Sequence, residues 1–135
     1  MSRASTSGMR GMRVLVVEDT LLIAEVIADE LRDQGCSVIG PASRLQQGLA
    51  LAADERLDGA LLDVNLAGEL CFPIADALTE RGVPFAFLTG YGDAAIPVGY
   101  RDTPRLTKPF DGANLLGLVA SFVGRERAED RRPPS

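Results

Sequence analysis

The chain has 135 residues, 46% of them hydrophobic and 24% charged, enough for one domain around a single core and too few for two. Its formal net charge of -5 excludes non-specific nucleic-acid binding, which needs a basic surface to neutralise phosphates. No apolar run reaches membrane-spanning length, "MSRASTSGMRGM" lacks the apolar centre of a signal peptide, and Cys36 and Cys71 have no neighbouring thiol or imidazole, so a cytoplasmic protein without zinc or disulfides is expected.

Residues 1–11 are small and polar and read as a disordered segment ahead of one domain over 12–124. "RVLVVED" is a β-branched run that stops at two carboxylates, Glu18 and Asp19, as a strand buried on both faces would. From Leu21 to Gln34, Ile23, Ile27 and Leu31 recur at one-turn spacing and Gly35 ends the pattern, which predicts a helix. "CSVIG" reads as a second strand, and Ser43 with Gln46 as a capping box opening a helix that carries Leu45, Leu49 and Ala52 inward. "DGALLDVN" is a third strand, again stopped by a carboxylate, Asp63; a turn at Gly68 and a helix with Ile74, Ala75 and Leu78 follow, closed by Gly82.

The fourth strand is expected over Val83 to Thr89. Gly90 to Thr103 holds Gly92, Pro97 and Gly99, so any helix there is short, near Asp93 to Ile96. After "LTKPF" a last helix begins near Asp111 and buries Leu115, Leu118, Val119 and Phe122, and the charged, proline-ended stretch 125–135 reads as a frayed end and solvated tail.

Strands alternating with helices predict an α/β fold: a parallel sheet with right-handed crossovers and helices on both faces. Ligands of such sheets bind beyond the carboxyl ends of the strands. Glu18 and Asp19, Asp63, Thr89 and Lys108 all fall at strand ends, and Lys108 is the single lysine of the chain. Each alone has an ordinary explanation as helix-entry, turn or surface chemistry. Random charges would be spread over both edges, whereas these five gather at one.

From about Arg13 to Val123 the sequence resembles a receiver domain of two-component response regulators, with Glu18 and Asp19 as the acidic pair, Asp63 as phospho-acceptor, Thr89 as switch hydroxyl and "KPF" from Lys108. The resemblance implies a five-stranded sheet in order 2-1-3-4-5 with five helices, here with a short or irregular fourth. It also implies Mg2+ held by Glu18, Asp19, Asp63 and the backbone carbonyl of Asn65, hard oxygen donors that suit that ion. Asp63 would take a phosphoryl group from a histidine kinase or histidine phosphotransferase, and Lys108 would meet a phosphoryl oxygen as a compact point charge. A cis Lys108-Pro109 bond is common in the family. Kinase docking is expected around Thr20, Leu21, Leu22 and Phe110.

Two departures stand out. The aromatic that many receivers carry two or three places before the lysine is absent, those places being Leu106 and Arg105. Tyr91, with Tyr100 second, is the candidate substitute, or else a loop residue without a switching role. The proline four places after the phospho-acceptor is Ala67. With "FLTGYG" (Phe87 to Gly92), these traits resemble a stand-alone, mainly alphaproteobacterial subgroup with a Phe-x-Thr-Gly-Tyr-like motif.

The chain has no histidine, so it cannot itself be the kinase or the phosphohistidine relay. The expectation is a single-domain regulator, monomer or weak dimer, that receives a phosphoryl group and relays it or binds a target protein, without turning over external substrates. The alternative is a degenerate receiver that binds partners constitutively and is never phosphorylated. A phosphatase of the haloacid dehalogenase type is disfavoured, because the second aspartate it needs two positions after the nucleophile is Asn65 here.

Overall fold

The β-branched run near the N-terminus forms β1 (Arg13–Val17), and a regular alternation follows: α1 (Leu21–Asp33), β2 (Ser37–Ala42), α2 (Leu45–Asp54), β3 (Gly59–Asp63), α3 (Phe72–Arg81), β4 (Phe85–Thr89), β5 (Arg105–Thr107) and α4 (Gly112–Asp130). The structure, a computed structural model, describes residues 8–90 and 96–130, with 124–130 as backbone only. All five strands pair in parallel, in the expected order β2-β1-β3-β4-β5. A small antiparallel hairpin, Asn65–Leu66 with Glu69–Leu70, sits between β3 and α3.

Strand alternation divides the core in two, because successive side chains point to opposite faces. Leu15, Val17, Ala60, Leu62, Phe85 and Phe87 pack with α2 and α3, while Val14, Val16, Leu61, Ala86 and Leu88 pack with α1 and α4. Each large apolar side chain so buried contributes about 1.5–3 kcal/mol. Two glycines let the layers approach. A Cβ on Gly48 would stand 2.6 Å from Ile74 Cδ1, and one on Gly59 would stand 2.4 Å from the Phe122 ring.

Several boundaries differ from the sequence reading. Of the segment expected to be disordered, residues 8–11 are ordered: Met9 is buried and Gly11 N–H donates to Gly35 O at 2.8 Å. Residues 1–7 lie outside the described residues. Strand β2 runs on to Ala42 because a bulge opposite Leu15 to Val17, with a cis Gly40-Pro41 bond, carries the pairing past Gly40. The capping box is displaced by one: Arg44 is the N-cap of α2, and Gln47 Oε1, not Gln46, accepts from Ser43 N–H at 3.2 Å.

Strand β4 starts at Phe85, two residues later than expected. In α4, Leu115, Val119 and Phe122 are buried and Leu118 only partly so; Asp111 Oδ1 caps it by accepting from Asn114 N–H at 2.8 Å. The helix continues to Asp130, past the expected boundary at 124, while 131–135 lie outside the described residues. Four α-helices are present among the described residues, not five. The stretch expected to hold a short fourth helix near Asp93 to Ile96 lies mostly outside them, and after it comes a single 3-10 turn, Val98–Tyr100. Tyr100 closes an aromatic cluster with Phe72, Phe85 and Phe87, and its hydroxyl donates to the Asp76 carboxylate.

Candidate functional site

Because parallel strands point one way, their carboxyl ends share one edge, and the register decides which residues meet there. Val17 pairs with Leu62, so Glu18 and Asp63 emerge side by side; Asp63 pairs with Leu88, and Thr89 with Thr107, so Thr89 and Lys108 emerge next in line. Lys108 N–H donates to Thr89 O at 2.7 Å, which ties the two exit loops together. The Lys108-Pro109 bond is cis.

The side chains converge as the backbone directs. Lys108 Nζ lies 3.2 Å from Asp63 Oδ2 and 2.9 Å from Glu18 Oε1. Glu18 is 1% exposed and Asp63 3%, both far below what a carboxylate normally tolerates. One oxygen each of Glu18, Asp19 and Asp63 lie within 4.8 Å of one another. Burial pushes the Asp63 carboxyl up to about 8, helped by its contacts with Asp19 and by the Glu18 charge, and Lys108 offsets only part of this. Partial burial works against the Lys108 charge, but its bonds and attraction to Glu18 and Asp63 more than reverse that and hold its pKa above the ordinary lysine range.

Two backbone amides orient the acidic pair. Thr20 N–H donates to Glu18 Oε2 at 3.0 Å, and Ala67 N–H, 48 residues away in sequence, donates to Asp19 Oδ2 at 3.0 Å. Glu18 Oε1 is fully buried, and the Lys108 ammonium 2.9 Å away, which Asp63 shares, is its ion-pair partner. Three carboxylates gathered around one shared ammonium carry surplus negative charge of the kind a hard divalent cation would offset.

The expected residues Glu18, Asp19, Asp63 and Lys108 are thus brought together, with half-buried Thr89 on the same edge. Asn65 follows β3 in the hairpin, its Oδ1 accepting from Gly68 N–H at 2.8 Å. Tyr91 lies outside the described residues. Sequence reasoning missed the hairpin and both orienting amides. Leu66 and Leu70 flanking Ala67-Gly68 were the available signal for the hairpin, and nothing local could have paired Ala67 with Asp19.

Residues 14–120 match the response regulator receiver domain family. The chain is 28% identical over 119 residues to the transcriptional regulatory protein PdtaR of Mycobacterium tuberculosis, covering 85% of this chain and 58% of that protein. It therefore spans little more than half the length of this curated relative. SdrG from Sphingomonas melonis Fr1 is similar in structure, with a TM-score of 0.75 and 36% identity over 84% of this chain and 97% of SdrG. The receiver domain of a sensor histidine kinase from Pseudomonas aeruginosa, solved with a magnesium ion coordinated in its active-site cleft, gives a TM-score of 0.70 and 26% identity over 84% of this chain and 98% of its own. Among the described residues no helix is long and apolar enough to cross a membrane. Sheet order, edge cluster and family match agree: the chain belongs to the receiver domains of two-component response regulators.

Proposed function

We propose that Asp63 accepts a phosphoryl group from the phosphohistidine of a histidine kinase or histidine phosphotransferase, and that the modified domain then relays it or signals by protein contact in the cytoplasm. The observation that carries this reading is the Lys108 ammonium 3.2 Å from the Asp63 carboxylate, beside two further carboxylates at the same edge.

Glu18, Asp19, Asp63 and the Asn65 carbonyl would hold Mg2+, which when bound supplies positive charge opposite the phosphoryl oxygens. Burial and the neighbouring Asp19 and Glu18 carboxylates push the Asp63 pKa up toward about 8 and so work against its ionised, nucleophilic form while the cluster is uncompensated. Once ionised, an Asp63 oxygen attacks phosphorus. The P–N bond breaks, and the imidazole nitrogen leaves with its electron pair and takes a proton from solvent. Lys108, freed from part of its attraction to Asp63, meets one equatorial oxygen of the transferring group. Thr89, one register step away, moves its hydroxyl to another and draws the β4 exit loop inward. Tyr91, two residues on, is the aromatic proposed to respond.

Docking fits the same edge. Leu21 and Leu22 open α1 directly after the acidic pair and are 75% and 73% exposed, an apolar surface suited to the helices of a kinase or phosphotransferase. The motif "FLTGYG" together with Ala67 supports membership of the Phe-x-Thr-Gly-Tyr-like subgroup.

Intact-protein mass spectrometry after incubation with Mg2+ and acetyl phosphate tests the proposal. One phosphoryl group should be added to the wild type, none with chelator and none in Asp63→Asn. A wild type that gains nothing, or a mutant that gains equally, would favour a constitutive binding module that is never phosphorylated.

A further inference from the structure

We propose that the backbone of Ala67 is a positioning group for the cation site, its N–H holding Asp19 in the orientation that meets the ion; this rests on the function proposed above. Asp19 is the most exposed of the three carboxylates and follows a strand end, where side-chain rotamers are least restrained. Its Oδ2 is held at 3.0 Å by an amide 48 residues away. Fixing one oxygen directs the other, as partners behind a metal ligand commonly do.

The amide can reach Asp19 because of an unusual backbone conformation. Ala67 has φ of 55°, the only positive φ at a non-glycine among the described residues, and Gly68 follows at 96°. Two successive positive φ values are the pattern of a type I′ turn. They close the two-residue loop of the hairpin in which Asn65 pairs with Leu70 and Leu66 with Glu69. Gly68 N–H donates to Asn65 Oδ1 at 2.8 Å, so this second amide braces the turn while Ala67's points outward to Asp19. A side chain in this region of backbone space is strained, and such strain persists only where surrounding bonds impose it. The residue type is therefore constrained twice. Position 67 must keep its N–H and must accept positive φ, and proline can do neither.

Magnesium titration by calorimetry on the whole chain tests this. Ala67→Gly keeps both properties and should bind Mg2+ within about twofold of wild type, whereas Ala67→Pro should bind about tenfold more weakly. In an Asp19→Ala background, Ala67→Pro should cost less than about a further twofold, because the oxygen it served is gone. Equal losses in both backgrounds, or no loss in either, would overturn the inference. Should Ala67→Pro fail to fold, amide exchange by NMR decides. In cation-free protein the Ala67 amide should exchange at least about tenfold faster in Asp19→Ala than in wild type, with Gly68 unchanged; equal rates would overturn it. If instead the wild type binds no Mg2+, or binds it equally well as Asp63→Asn, the functional reading fails rather than this refinement.

Discussion

Replacing Asp63 by asparagine should stabilise the cation-free protein although it destroys the acceptor. The carboxyl's pKa stands near 8 in the fold against an ordinary 3.8. A group raised in this way contributes stability in full below about pH 4 and loses it as pH rises toward 8. At pH 7, about three pH units above the unfolded value, the fold must either keep a proton the unfolded chain has released or bear a buried charge. At about 1.36 kcal/mol per unit this costs at most about 4 kcal/mol. Asparagine carries no charge but gives up the Lys108 ion pair, leaving a net gain of about 2–3 kcal/mol, or roughly 8–12 °C in Tm for a domain of this size. Thermal melts in chelator at pH 7 and pH 5 test it. The advantage of Asp63→Asn should shrink by about 2.7 kcal/mol, to near zero, at pH 5, and added Mg2+ should raise the wild type more than the mutant. A mutant less stable than wild type at pH 7, or a difference that does not grow from pH 5 to 7, would refute the electrostatic reasoning.

Other consequences can be checked separately. Mg2+ must displace the Asp63 proton, so its affinity should rise with pH by up to about tenfold per unit between pH 6 and 8 and flatten above, as calorimetry can follow. Lys108→Ala removes the counter-charge of both buried carboxylates and should lower cation-free stability by about 3 kcal/mol in urea denaturation. Lys108→Arg should not restore phosphorylation from acetyl phosphate, since a planar fork replaces a point charge. Gly59→Ala would place a methyl 2.4 Å from the Phe122 ring and should cost about 1–3 kcal/mol, relieved when Phe122→Leu is added.

The sequence exposed the fold where one local signal governed one element. The apolar runs that give way to carboxylates at Glu18 and Asp63 stopped where β1 and β3 stop, and Gly82, at φ 73°, closed α3 as a left-handed cap should. The five polar residues at the site were legible for a similar reason: in parallel strands, position along each strand already determines the edge. Less visible was anything set by contacts across the chain. Met9 reads as part of a polar leader, yet it is buried with Cys36, whose Sγ donates to Met9 O at 3.5 Å. Nothing in "NLAGEL" announced that one amide there would hold a carboxylate following β1. The β2 bulge and the one-residue displacement of the α2 cap likewise depend on neighbouring strands and loops more than on local propensity.

Fluorine NMR with Mg2+ and beryllofluoride, a mimic of the phosphoryl group, probes the convergence of Asp63, the acidic pair and Lys108 most directly. Wild type should show bound resonances distinct from free beryllofluoride, abolished by chelator and absent from Asp63→Asn. Bound signals that persist in the mutant or without divalent cation would contradict the site described for this edge.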